Sequence, residues 1–168
     1  GEREVHASSG LLADHLDHKQ ALLAHLLQNE NYEQAIVFVA TREDTDRLST
    51  ELSQTGITTL SLSGELKQAQ RNQVIDQFSR TQAKVLFTTD VAARGLDLLH
   101  VSLVINFDMP KQAEEYIHRI GRTGRAGNQG LAISLVSAKD WQSFQNLLTL
   151  QRREIQFSTI EGLEGKFK

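Results

Sequence analysis

Short apolar runs, separated by stretches with helical spacing, set the narrowest limit on how this chain can fold. Ile36-Val37-Phe38-Val39-Ala40 holds no polar residue and is rich in β-branched and aromatic side chains. Such a run suits a strand covered on both faces, as in parallel sheets flanked by helices. Residues 58–62, 84–88, 101–107 and 130–136 read as further strands, and a short first strand is expected near 3–7.

Helical spacing fills the intervals. Over 19–28 the apolar residues fall at Leu22, Leu23, Leu26 and Leu27, one stripe of a helix. Thr41 reads as the cap of a helix to about Ser53 with Leu48 and Leu52 inward, stopped by Gln54-Thr55-Gly56. A turn at Ser63-Gly64-Glu65 leads to a helix over 67–80 whose inner face is Val74, Ile75 and Phe78. Helices at 112–120 and 138–151 follow the last two strands, and Pro110, the single proline, stands just before the first of them. Strands alternating with helices imply an α/β fold with right-handed crossovers and a mostly parallel sheet. The expected organisation is a linker or first strand over 1–18, one domain over 19–157 and a loosely ordered tail over 158–168.

Composition narrows the partners. The 168 residues suffice for one domain with its own core. No apolar run reaches the ~18 residues that a membrane span needs, and Gly1-Glu2-Arg3-Glu4 does not resemble a signal peptide. With no cysteine, disulfides and thiolate metal sites are excluded, which fits a reducing, cytoplasmic setting. The net charge of -3 argues against a broad field for nucleic acid, so any such contact must be local. The chain opens on Gly, not Met, and is read as a fragment of a longer protein.

Positive charge concentrates in Tyr116-Ile117-His118-Arg119-Ile120-Gly121-Arg122-Thr123-Gly124-Arg125. Arginine recurs every third residue, with glycines that end a helix near 121 and leave a loop carrying Arg122 and Arg125. Guanidinium groups are permanently charged and fork onto phosphate oxygens, so the cluster points to phosphate. A lone arginine there would more simply cap carbonyls or pair with an acid.

In open α/β sheets, ligands bind beyond the carboxyl ends of the strands. Four such junctions carry suitable residues: Thr41 after 36–40, Gly64 with Gln68 and Arg71, Thr88-Thr89-Asp90, and the arginine stretch. Hydroxyls, a glycine and amide groups at helix starts suit phosphate oxygens. Each also has a plain structural alternative: Thr41 and Thr89 as helix caps, Gly64 as a turn residue, Gln68 and Arg71 on a solvated face. In Thr88 to Leu98, Asp90, Arg94 and Asp97 are costly to bury unpaired. Asp90 fits an internal pair with a motif arginine, and Asp97 a ribose hydroxyl. No G-x-x-x-x-G-K-[ST] loop is present, so an arginine cluster here is half of a nucleotide site.

These motifs together resemble the DEAD-box ATP-dependent RNA helicases over about residues 19–140. His118 to Arg125 looks like motif VI of that family, Thr88 to Asp97 like motifs V and Va, Gln68 with Arg71 like its Q-x-x-R element, and Ile36 to Thr41 like motif IV. Asn106 to Pro110 and Tyr116 sit at the family's spacing. Ala40 departs from the usual asparagine of motif IV, and Ser63 from the histidine common before Gly64.

The resemblance implies a RecA-like three-layer α/β/α fold and the second helicase domain. A preceding RecA-like domain would carry the phosphate loop and hold most of the ATP and Mg2+. Arg122 and Arg125 would be catalytic arginine fingers, with Asp97 on the ribose. Thr41, Gly64, Gln68, Arg71, Thr89 and Arg94 would line the RNA sugar-phosphate path. Asp90, His118 and Arg119 would support the contact between domains. Alone, the piece is expected to be monomeric and without ATPase activity. A double-stranded DNA translocase and a non-catalytic adaptor of the same fold are the competing classes.

Overall fold

The structure, a computed structural model, describes residues 5–13, 16–94, 96, 100–109, 129–137, 142 and 156–158. Their elements run β1 (Val5–Ala13), α1 (Leu16–Asn29), β2 (Gln34–Phe38), α2 (Arg42–Ser53), β3 (Thr59–Leu62), α3 (Gln68–Ser79), β4 (Val85–Thr88), α4 (Asp90–Ala93), β5 (Val101–Asn106), β6 (Gln129–Ser137) and β7 (Gln156–Ser158). Among the described residues the strands form one seven-stranded sheet in the order β3-β4-β2-β5-β6-β1-β7. Every pairing is parallel.

Alternation along β2 divides the interior. Ala35, Val37 and Val39 pack with Leu22, Leu23, Leu26 and Leu27 of α1 and Leu48 and Leu52 of α2. Ile36 and Phe38 face the other way, onto Phe78 of α3, Ala92 and Ala93 of α4, and Val74 and Ile75 at the margin. Successive side chains of a strand point to opposite faces, so an unbroken apolar strand needs a helical layer on each side. The result is the RecA-like three-layer α/β/α arrangement.

Local chemistry sets the element ends. Thr41 Oγ1 accepts from the Asp44 amide at 3.2 Å, capping α2, whose first turn carries Glu43 and Asp44. At its far end Gly56 adopts φ +93°, a conformation that favours glycine. Gln70 Oε1 reaches back to the Lys67 amide at 3.2 Å to start α3. That helix closes with the Thr81 amide on Phe78 O and the Gln82 amide on Gln77 O, both at 3.0 Å. This is a Schellman closure with Thr81 in the glycine-favoring position at φ 59°.

Two features differ from the sequence expectation. The first strand extends to Ala13, because residues 5–13 pair one for one with 129–137 of β6. β7 lies on the other side of β1, pairing at Ser9 to Leu11, in a stretch with no strand signature of its own. The segment after β4 opens as the short helix α4, in keeping with the reading of Thr89 as a helix cap. The helices expected at 112–120 and 138–151, apart from Gln142, and the tail beyond Ser158 lie outside the described residues.

Candidate functional site

The register places the exits of β3, β4, β2 and β5 in one row, which continues into β6. Leu62 of β3, Thr88 of β4, Phe38 of β2, Asn106 of β5 and Ser134 of β6 are successive partners across the sheet. Thr89, Gly64 and Thr41 follow this row by one, two and three residues, so three separate segments deliver them to the same edge of the sheet. Thr88 is itself buried and donates its hydroxyl to Leu62 O at 3.0 Å, fastening the β4 exit to the β3 exit.

Both threonines cap helices. Thr41 starts α2 as described, and Thr89 Oγ1 accepts from the Ala92 amide at 3.3 Å to start α4. Each exit is thereby followed by a helix N-terminus at the sheet edge, where unpaired amides and the helix dipole favour anions. Gly64 is exposed, and a β-carbon there would meet nothing within 4 Å among the described residues. The fold itself does not demand glycine at 64, which suits a close approach by something outside this chain. The turn it sits in is braced by an ion pair between Arg42 and Glu65.

Arg71 is already engaged. Its guanidinium donates to Ala92 O at 2.6 Å and to Arg94 O at 3.4 Å, tying α3 to the end of α4. A cation at the last carbonyls of a helix stabilises that end. Gln68, on the same helix, is exposed and donates to Asn72 Oδ1 at 2.9 Å. Arg94 is exposed at the end of α4, and Asp90 is half-buried at its start. Between them Val91 is 65 % exposed, the one large apolar side chain so exposed among the described residues. Among the described residues the edge thus offers hydroxyls, an exposed turn, helix starts, an exposed arginine and an exposed apolar side chain.

Asp97, His118, Arg119, Arg122 and Arg125 lie outside the described residues. Among those that are described, no group of three or more His, Asp and Glu is placed to hold a metal ion, and no helix is long and apolar enough to cross a membrane.

Sequence reading gave Lys19 no role, and Asp108 only a place in the Asn106 to Pro110 stretch. Lys19 is only 7 % exposed; its Nζ donates to Phe107 O at 2.8 Å and lies 3.5 Å from Asp108 Oδ1. Asp108 Oδ2 accepts from the Ala40 amide at 2.8 Å. A lysine on a mostly polar helical turn looks like a solvated residue, and only the packing of α1 on the β5 exit shows otherwise.

A parallel sheet with helices on both faces and its polar residues gathered at the strand exits defines the class: a RecA-like α/β/α domain. The helicase conserved C-terminal domain model matches residues 18–127, so the chain belongs to that family, as the C-terminal domain of a DEAD-box RNA helicase. It is 42% identical over 156 residues to the ATP-dependent RNA helicase SrmB of Haemophilus influenzae, covering 93% of this chain and 36% of that protein. Against SrmB of Escherichia coli it is 50% identical over 128 residues, 76% of this chain and 29% of that one. The chain therefore spans about a third of these relatives.

Among solved structures, E. coli SrmB bound to the regulator of ribonuclease activity A superposes with a TM-score of 0.92 at 41% identity, covering 99% of this chain and 98% of that one. S. cerevisiae Dbp5 bound to RNA and ADP BeF3 gives 0.83 at 32% identity, over 91% of this chain and 41% of that one.

Proposed function

We propose that this domain supplies half of an RNA path and half of an ATP site, which a preceding RecA-like domain completes when the two close on each other. The observation that carries the reading is the common sheet edge to which three separate strand exits bring Thr41, Gly64 and Thr89. RNA lies along that edge by its sugar-phosphate backbone. Thr41, Gly64, Gln68, Thr89 and Arg94 line the path, and Arg71 shapes it from beneath by holding residues 92–94. Contacts of this kind carry little sequence preference, and ribose hydroxyls let RNA be told from DNA. The likeness to a Dbp5 structure that contains RNA supports this assignment.

On the nucleotide side, Arg122 and Arg125 act as arginine fingers and Asp97 meets the ribose. His118, Arg119 and Asp90 support the contact between domains, where the exposed Val91 finds a cover. An arginine finger is typically worth ~10³–10⁵ in rate, or about 4–7 kcal/mol of transition-state stabilisation. Magnesium is held with the phosphates by the other domain. An RNA strand bent to follow the closed cleft leaves its regular duplex, so closure separates a few base pairs locally and hydrolysis releases the strand.

RNA-dependent ATP hydrolysis and short-duplex unwinding by the full-length protein test this. Turnover stimulated by RNA and not by DNA is expected, with no hydrolysis by the 168-residue chain alone. Equal stimulation by DNA, or ATPase activity in the isolated domain, would overturn it.

A further inference from the structure

We propose that Lys19 is a positioning residue for ATP hydrolysis, acting through Asp108 to hold the exits of β2 and β5 in one fixed arrangement. The proposal rests on the helicase reading above. β2 and β5 are neighbours in the sheet, and their exits lead respectively to Thr41 and to the segment that carries Arg119, Arg122 and Arg125.

The bonds at this point converge. Phe38 O accepts from the amides of Phe107 at 3.0 Å and Asp108 at 3.3 Å. Asp108 Oδ2 accepts from the Ala40 amide at 2.8 Å, while Oδ1 lies 3.5 Å from Lys19 Nζ. Lys19 Nζ also donates to Phe107 O at 2.8 Å and stands 5.3 Å from the centre of the Phe107 ring. One carboxylate therefore bridges two strand exits, and one ammonium from α1 fixes that carboxylate and the last carbonyl beside it.

Docking of α1 does not explain the lysine. Leu22, Leu23, Leu26 and Leu27 already bury that helix against the sheet. An ion pair with one buried partner is a poor device for stability, since apolar residues of similar volume often do as well, but it is a directional one. What Lys19 adds is orientation: it fixes Asp108, which fixes the backbone at Ala40. Ala40, where the family commonly has asparagine, is held here through its amide, so the missing side chain leaves the exit tethered.

The test uses Asp108→Asn and Lys19→Gln in the full-length protein, neutral replacements that keep hydrogen-bonding capacity. Displacements remote from the chemistry can cost ~100-fold in rate, and each variant is expected to lower kcat for RNA-stimulated hydrolysis by roughly tenfold or more while KM for ATP stays within about twofold. The double variant is expected to be no slower than the slower single. In the 168-residue chain, Lys19→Gln alone is expected to speed amide exchange at Ala40, to which Asp108 links it. Folded variants with kcat within about twofold of the wild type would overturn the proposal, as would loss of folding by both, which would assign the pair to architecture. If the wild-type protein shows no RNA-stimulated hydrolysis, the helicase reading falls. The coupling then stands on Ala40 exchange, and an unchanged rate there would sink it separately.

Discussion

Arg71 and Ala92 are joined by a 2.6 Å hydrogen bond from guanidinium to carbonyl oxygen, across 21 residues of sequence. Because a second donor of the same group reaches Arg94 O, the charge of Arg71 serves the shape of the α4 turn. Arg71→Ala is expected to destabilise the domain by about 1.5–3 kcal/mol, the range for hydrogen bonds to a charged group, measured by urea denaturation. RNA affinity of the full-length protein should fall, yet the slope of affinity against salt should not change. A direct phosphate contact would reduce that slope by ~0.7 for a single strand, and a drop of that size would place Arg71 on the phosphates instead.

Thr41 combines a capping role, seen in its 3.2 Å bond from the Asp44 amide, with a place on the proposed path. Aspartate caps as well as threonine does, whereas alanine loses about 1 kcal/mol. Thr41→Asp should therefore keep stability close to the wild type while putting a negative charge where RNA phosphates pass. Weaker RNA binding at unchanged melting temperature is the expected result. Unchanged binding would leave Thr41 a helix cap and nothing more.

Thr81 sits at φ 59° in the closure of α3, a region that β-branched residues seldom adopt. Thr81→Gly removes that conflict and should stabilise the domain by about 0.5–1 kcal/mol, after allowing for the greater freedom glycine adds to the unfolded chain. Urea titration of the two proteins checks it, and no gain would mean that the surrounding turn absorbs the strain.

How far the sequence revealed this molecule follows from where the information lies. β2, β4 and β5 announce themselves because a strand covered on both faces is mostly apolar. β1 does not, since Ala7-Ser8-Ser9-Gly10 has no such run and its place is fixed by pairing with β6. The capping threonines were legible as candidates because a cap is a local device, set by residues three apart. Thr81 was not, because nothing local marks a threonine as left-handed. Lys19 was missed for the opposite reason: its partners are 88 and 89 residues away, at a strand exit that only the folded sheet brings under α1.

Tyr32 offers a test by pH. Its ring is 8 % exposed, its hydroxyl donates to Leu27 O at 2.6 Å, and burial pushes its pKa from 10.0 to about 12. The folded state thus keeps the proton over a range where the unfolded chain has lost it. Stability from this group is complete below pH ~10 and drains away as pH climbs through ~12. Denaturation at pH 8 and 11 should show a loss that Tyr32→Phe diminishes, although that variant also forgoes the bond to Leu27, worth about 1 kcal/mol at neutral pH. An identical alkaline loss in both proteins would trace it to other groups.

The finger assignment is tested most directly by Arg122→Ala in the full-length protein. If Arg122 meets charge that develops only as the phosphoryl group transfers, its removal spares ATP binding and strikes turnover. RNA-stimulated kcat should fall by at least ~10³, with ATP affinity changed by less than about tenfold. Arg122→Lys should recover little, because an ammonium cannot reproduce the two parallel donors of a guanidinium. A rise in KM with kcat intact would instead make Arg122 a ground-state phosphate contact. Turnover untouched in Arg122→Ala and in Arg125→Ala alike would remove the fingers from the mechanism, and with them the reason for this domain to close on a nucleotide at all.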